Sequence, residues 1–251
     1  MMRLDRALVL RGLCRSRGEA QAQIDAGKVL VSGVAATKSS QMVEDDSVLA
    51  ATGDPPRYVS RGGLKLEAAI QDFQIAVEGR QALDVGAGTG GFTDCLLQHG
   101  AASVVAVDVG HGQMGADLAA DPRVTLREGI NARAMQPSDF PCRFEIITAD
   151  LSFISLTLVL PALAPLLAAE GDLICLIKPQ FEVGAGNLGK GGIVRNATAR
   201  AAVLQRVTIS AAACGLRQSG CIPSPIAGGD GNIEFLVRFK LEAGSDAKDG
   251  D

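Results

Sequence analysis

Four charged residues stand where the surrounding sequence makes charge costly. Lys65 follows S-R-G-G-L, Asp150 closes the apolar run I-I-T-A-D, Lys178 closes L-I-C-L-I-K, and Glu234 sits within N-I-E-F-L-V. A charge on a buried strand needs a partner, because its lost hydration must be replaced. Two ammonium and two carboxylate groups can compensate one another if the fold brings them to one point. Such a set suits the activation of a hydroxyl, since a lysine amine can accept or polarise the departing proton when desolvation and a neighbouring cation favour its neutral form. Taken singly, each residue reads as part of a salt-bridge network at a sheet edge. The set acquires a chemical meaning only beside a ligand loop.

That loop is L-D-V-G-A-G-T-G-G-F-T-D, Leu83 to Asp94, placed between a strand-like run and a helix-like one. Gly86, Gly88 and Gly90 allow a sharp turn and close approach of backbone to ligand. Read as Gly86, Gly88 and Gly91, the same segment satisfies a dinucleotide fingerprint, so the glycines alone do not separate a nicotinamide cofactor from S-adenosylmethionine. Asp84 favours the second, because a carboxylate there stabilises a cationic amino-acid end and repels a pyrophosphate. Asp108 closes V-V-A-V-D, where its oxygens can accept two ribose hydroxyls. Asn131, in E-G-I-N-A-R, reads equally as an adenine contact and as a helix cap before Ala132. With a sulfonium in the loop, the four charges suit methyl transfer to a ribose 2′-hydroxyl, a poor nucleophile until its proton is withdrawn. Lys178 then takes the proton and Asp150 orients it, while Lys65 tunes the field and Glu234 fixes Lys65 or the sugar.

These residues need a scaffold, and the apolar pattern supplies one. Strand-like runs at Ala82–Val85, Val104–Val107, Val124–Leu126, Glu145–Thr148 and Leu173–Ile177 alternate with helical stretches, and late strands follow near Cys221 and at Ile233–Phe239. The alternation predicts an α/β fold with a doubly wound, mostly parallel, seven-stranded Rossmann-like sheet. Ligands bind such sheets beyond the carboxyl ends of the strands, where Asp150 and Lys178 emerge beside the glycine loop.

Ahead of this domain lies a smaller unit. Leu4, Leu8 and Leu13 mark a helix ending near Gly12; Ser16 can cap a second, which Gly27 closes. K-V-L-V-S-G-V reads as a strand entering a turn, and Val43 to Leu49 as another strand. The expected divisions are 1–51, a linker at 52–59, the large domain at 60–241 and a disordered acidic tail at 242–251. The net charge of −4 hides an asymmetry, since residues 1–40 carry seven basic and three acidic side chains. None of the six cysteines forms a C-x-x-C pair, which points to buried reduced thiols and no metal site. The longest apolar run, Leu156 to Ala169, is broken by Pro161 and Pro165, and no signal-peptide core opens the chain, so a cytoplasmic protein is expected.

The segments Y-V-S-R-G-G-L-K-L, D-V-G-A-G-T-G-G-F-T, A-D-L-S-F-I-S-L, I-K-P-Q-F-E and G-N-I-E-F-L together resemble the TlyA or haemolysin A-like family of FtsJ-like ribose methyltransferases, over nearly the whole chain to about Lys240. Residues 1–50, with R-L-D-R-A-L-V-L-R-G-L and A-G-K-V-L-V-S-G, resemble the S-four-like RNA-binding module. The resemblance implies methylation of a ribosomal-RNA 2′-hydroxyl, on cytidine, by a Lys-Asp-Lys-Glu tetrad that falls on Lys65, Asp150, Lys178 and Glu234. The chain departs from the family at G-H-G-Q-M, Gly110 to Met114, in place of an aromatic and a Leu, and at Ile130 in place of Thr. The module implies phosphate contacts from Arg3, Arg6, Arg15, Arg17 and Lys28, and the scarcity of aromatics favours recognition by shape and backbone. The glycine-rich loop 179–195 is expected to be a flap that orders over RNA, with Lys190 and Arg195 on phosphate. Alternative readings are a non-catalytic RNA-binding or ribosome-assembly protein, a nicotinamide-dependent oxidoreductase, a base methyltransferase and a pore-forming haemolysin.

Overall fold

The computed structural model describes residues 1–14, 17–52, 57–184, 188–228 and 231–242. The chain forms two compact units, Met1–Arg61 and Gly62–Asp251.

The first unit comprises β1 (Met2–Arg3), α1 (Leu4–Leu10), α2 (Arg17–Asp25), β2 (Val29–Val31), β3 (Val34–Ala35), β4 (Met42–Val43) and β5 (Leu49–Ala51). Its core is Leu4, Leu8, Cys14, Ala20, Ile24, Val29 and Val43. Ser32 and Gly33, both at positive φ, make the tight turn between β2 and β3, the conformation that a two-residue hairpin needs. Ser16 lies outside the described residues. The single strand expected at Val43 to Leu49 is instead two, β4 pairing with β1 and β5 with β2. Three consecutive acidic residues, Glu44 to Asp46, break it: a strand with one buried face cannot accept them in a row. Arg11 closes the resulting turn by donating to the carbonyls of Glu44, Asp45 and Ser47.

The second unit contains α3 (Gly62–Asp72), β6 (Gln81–Val85), α4 (Gly91–Gln98), β7 (Ser103–Asp108), α5 (Ala116–Ala119), β8 (Val124–Glu128), β9 (Phe144–Ala149), α6 (Leu160–Leu163), β10 (Leu167–Ile177), α7 (Pro179–Glu182), α8 (Ala197–Ala212), β11 (Leu216–Pro223) and β12 (Phe235–Leu241). Among the described residues these strands form a seven-stranded sheet, ordered β11-β12-β10-β9-β6-β7-β8. Strands β6 to β10 run parallel, and β12 lies antiparallel between β10 and β11. The inner strands are apolar on both faces, as a covered parallel sheet requires, and Leu83, Ile147, Leu173, Ile177 and Phe239 are fully buried. The order reverses between β6 and β9, which opens a crevice at the carboxyl edge.

The stretch from Leu156 is not one helix. Pro161 sits in the first turn of α6, Pro165 in the short 3-10 turn that follows, and the chain then enters β10 six residues earlier than its apolar pattern indicated. No disulfide joins the described cysteines; Cys14, Cys95 and Cys175 are buried as expected, whereas Cys142 and Cys221 are exposed. No described helix is long and apolar enough to cross a membrane.

Candidate active site

Strand register fixes which residues meet at the carboxyl edge. Val85 pairs with Val107 on one side and Ala149 on the other, so Gly86, Asp108 and Asp150 follow at one level. Ile177 pairs with Phe235, and extending that antiparallel register by one residue sets Lys178 opposite Glu234. Gly86 lies so close to the next strand that a β-carbon there would stand 2.6 Å from the Asp150 carbonyl oxygen. Lys178 Nζ reaches the same residue, 2.6 Å from Asp150 Oδ1, and donates to Ser152 Oγ at 2.9 Å. The glycine turn, Asp150 and Lys178 therefore share one corner of the sheet.

Lys65, from the first turn of α3, bonds Glu234 Oε2 at 2.5 Å, and both side chains are buried. Glu234 is not inside a strand, as its apolar neighbours indicated, but immediately before β12. The Ser224 N–H holds its carbonyl at 2.8 Å, and Gly228 packs on its carboxylate, where any β-carbon would collide. The four charges thus form two pairs on one edge. Each pair meets the demand that made its members conspicuous in the sequence.

The glycine loop turns through positive φ at Gly86, Gly88 and Gly90, a conformation that glycine adopts without strain. Asp108 reads this loop directly. Its Oδ2 accepts the Gly88 N–H at 2.8 Å and its Oδ1 the Gly110 N–H at 2.7 Å. Gln113, from the segment that departs from the family, lies over Gly110, and His111 covers Gly129 with no room for a β-carbon between them at ordinary contact.

Two cofactor candidates make bonds within the protein. Asp84 is fully buried, and its oxygens accept the hydroxyls of Thr93 at 2.7 Å and Thr148 at 2.8 Å. Burial pushes its carboxyl up to about 6. Asp84 braces α4 against β9, and any influence on a ligand is by field rather than by contact. Asn131 Oδ1 accepts the Arg133 N–H at 3.1 Å and so caps the short 3-10 turn that follows it.

Several site residues gave little sign of themselves in the sequence. Ser152 is one. Phe153 is 91% exposed and held at φ +64, and its ring lies 5.1 Å from that of Phe181, over which Lys178 Nζ stands at 6.0 Å. A large side chain in the left-handed region costs energy that packing elsewhere must cover, and an exposed aromatic wins none of it back by burial. The only available signal was an aromatic directly after A-D-L-S in a chain with few aromatics. Glu182 is the third: Oε1 accepts the Leu156 N–H at 2.7 Å and Oε2 the Ser155 hydroxyl at 2.6 Å, joining the turn after Asp150 to the helix after Lys178.

Residues 58–241 match the family profile of FtsJ-like methyltransferases. The chain belongs to that family. It is accordingly an enzyme, a methyltransferase, and residues 2–49 match the S4 domain. A 16S/23S rRNA (cytidine-2′-O)-methyltransferase, TlyA, of Mycobacterium tuberculosis is 46% identical over 96% of this chain and 90% of its own length. Hemolysin A of Brachyspira hyodysenteriae is 41% identical over 95% of this chain and 99% of its own. Among solved structures, a protein named as a hemolysin from Streptococcus thermophilus superposes with a TM-score of 0.78 at 42% identity, covering 96% of this chain and 88% of the other.

In this methyltransferase the basic residues of the S4 domain are not all equivalent. Asp5 lies beneath two of them: Arg3 grips it with two nitrogens at 3.1 and 3.0 Å, and Arg17 at 2.9 Å. The Arg3 guanidinium, with Arg17, holds the Asp5 carboxyl down at about 2. Arg6 and Lys28 are exposed. Arg15 and the Lys190 side chain fall outside the described residues. Arg195 is exposed, and the last residues of its segment are tied to α8: Arg200 donates to the carbonyls of Val194 at 3.0 Å and Arg195 at 2.8 Å.

Proposed function

We propose that this methyltransferase uses S-adenosylmethionine to methylate a ribose 2′-hydroxyl, on cytidine, in ribosomal RNA. The observation that carries the reading is the Lys178–Asp150 pair packed against the Gly86 turn, which sets a proton-handling group beside the ligand loop. The residues of the loop fit the cofactor. Each Asp108 oxygen accepts one backbone N–H and keeps a second lone pair for a ribose hydroxyl, and the side chain remains partly exposed. The Gly86–Gly90 backbone offers a wall without side chains, and the buried Asp84 contributes negative charge behind it. When bound, the cofactor supplies an electrophilic methyl group on sulfur.

The chain's own residues then have distinct tasks. Ser152 occupies one hydrogen-bonding direction of Lys178 Nζ and Asp150 pairs with it by charge, which leaves Nζ a free direction for the attacking hydroxyl, whose proton the amine accepts or polarises. Glu182 keeps the turn carrying Asp150 and the helix following Lys178 in fixed register, so the hydroxyl meets its base at a set position. The Lys65–Glu234 pair adds a second cation beyond the base. Phe153 offers an aromatic face to a splayed base, the mode by which single-stranded RNA is usually held. The names of the relatives support the choice of ribosomal RNA and of cytidine, and the S4 domain supplies a sequence-independent grip on its backbone.

The test is to incubate the full chain with ribosomal subunits and a donor labelled in its methyl group, then digest the RNA with nuclease P1 and separate the nucleosides. Label in 2′-O-methylcytidine is the expected result. Label on a base, or none in RNA, overturns the reading.

A further inference from the structure

Residues 188–195 carry two of the RNA-contact candidates, Lys190 and Arg195, yet have little regular structure. Gly191 and Gly192 both adopt positive φ, so regular structure here is limited to one 3-10 turn, closed by the Gly192 N–H on the Gly189 carbonyl, and other groups need side-chain partners. One side chain satisfies two of them. Asn232 is 1% exposed; its Oδ1 accepts the Val194 N–H at 2.9 Å and its Nδ2 donates to the Gly192 carbonyl at 3.1 Å. Its own backbone carbonyl accepts the Gly228 N–H at 2.9 Å. Gly228 in turn packs on the Glu234 carboxylate, which bonds Lys65. A continuous line of contacts therefore runs from the strap at 192–194 to the buried pair on the catalytic edge.

We infer that Asn232 is a positioning residue that couples the glycine-rich strap to the Glu234–Lys65 pair, so that RNA seated on the strap is in register with the reacting edge. The inference rests on the RNA reading of the site and adds to it a route by which the strap acts. The chemistry of the position requires an amide. Asparagine presents one acceptor and one donor at the spacing of a peptide group, matching the N–H of Val194 and the carbonyl of Gly192. Aspartate would keep the first bond and set two acceptors face to face at the second. Alanine would leave both backbone groups unpaired. On the far side Arg200 already holds the Val194 and Arg195 carbonyls, so the strap is gripped at two points, of which Asn232 leads to the tetrad.

The experiment compares the full-length chain with Asn232→Ala and the near-isosteric Asn232→Asp. Trypsin cleavage after Lys190 and Arg195, followed by mass spectrometry in the absence of RNA, reports the hold on the strap. Calorimetric titration with S-adenosylmethionine reports the glycine-loop pocket, and steady-state methylation of ribosomal RNA reports coupling. Loss of one buried hydrogen bond corresponds to about a tenfold change, so cleavage should quicken and kcat/KM for RNA fall by about that factor in Asn232→Asp, with cofactor affinity unchanged. Wild-type kcat/KM for RNA in a variant whose strap is cleaved faster overturns the coupling, as does a parallel fall in cofactor affinity, which marks general loosening. A wild-type chain that methylates no RNA overturns the proposed function instead. In that event unchanged trypsin cleavage would remove the tie itself.

Discussion

At the amino edge of the central sheet, Asp172 is 2% exposed and gathers three cations: Arg80 at 3.0 Å, Arg238 at 2.6 Å and Lys240 at 3.5 Å. Arg238 also donates to the Phe73 carbonyl and Lys240 to that of Glu170, so the cluster is closed in on itself. At the carboxyl edge each lysine has one carboxylate, and Asp150 and Lys178 retain 23% and 12% of their side-chain surface. An exposed phenylalanine at positive φ stands beside them. The same sheet thus buries charge in two ways. An excess of partners fixes a carboxylate for good, whereas one-to-one pairing balances the charge and leaves hydrogen-bonding directions open. Only the second arrangement can take part in a reaction without first being dismantled.

Substitutions at the two edges should therefore fail differently. Lys178→Ala should lower methyl transfer by about 10²–10⁴-fold, the usual contribution of a positioned acid or base. Its melting temperature should fall by less than that of Asp172→Ala, because it leaves a single carboxylate unpaired at an edge where that side chain keeps 23% of its surface. Asp172→Ala should do the reverse. It leaves Arg80, Arg238 and Lys240 crowded together without the buried carboxylate that they share, at a cost of about 3–5 kcal/mol in urea unfolding, while kcat measured below the transition stays near wild type. Stable Asp172→Ala protein, or an unstable Lys178→Ala protein, would remove the distinction between the edges. A finer division runs through Phe153. Replacing it with glycine relieves the left-handed backbone and should raise stability by up to about 1 kcal/mol. The same change removes the aromatic face and should raise KM for RNA several-fold, since a base stacked on an aromatic contributes about 1–3 kcal/mol. If KM stays fixed, Phe153 is an ornament of the turn and not part of the substrate site.

The carboxyl edge was legible in the sequence because a strand end is marked by a change of chemistry. An apolar run that stops at Asp108, Asp150 or Lys178 announces both the strand and the residue it presents, and G-A-G-T-G announces the turn beside them. Glu234 was picked out for the right reason and put in the wrong element, since its apolar neighbours hide the fact that Gly228 and Ser224 hold the chain outside β12. Ser152, Glu182 and Asn232 were not legible. Each joins segments far apart in the chain, and a hydrogen bond across such a distance leaves no spacing to read. Asp84 was legible as a carboxylate at the strand end, but not its bonds to Thr93 and Thr148, which come from separate elements. In the S4 domain, counting Arg3 and Arg17 as available cations overlooked Asp5, which is local enough to have been seen.

Asp5 repeats the logic of Asp172 on a smaller scale, one carboxylate beneath two guanidiniums, and gives the gentlest test of it. The folded carboxyl is held at about 2, below the unfolded value of about 3.8, so its contribution to stability is complete above pH 4 and lost as pH falls toward 2. Asp5→Asn removes that contribution at neutral pH and has nothing further to lose on acidification. The two proteins should differ in hydrogen-exchange protection of α1 and α2 at pH 6 and converge as the pH approaches 2. The same substitution releases Arg3 and Arg17 from their internal partner. If both then reach phosphate, the slope of log affinity for RNA against log salt should steepen by about 1.4 units, at unchanged sequence preference. An unchanged slope would mean that these two arginines serve Asp5 alone, and that the RNA-facing charge of the S4 domain must be sought at Arg6 and Lys28.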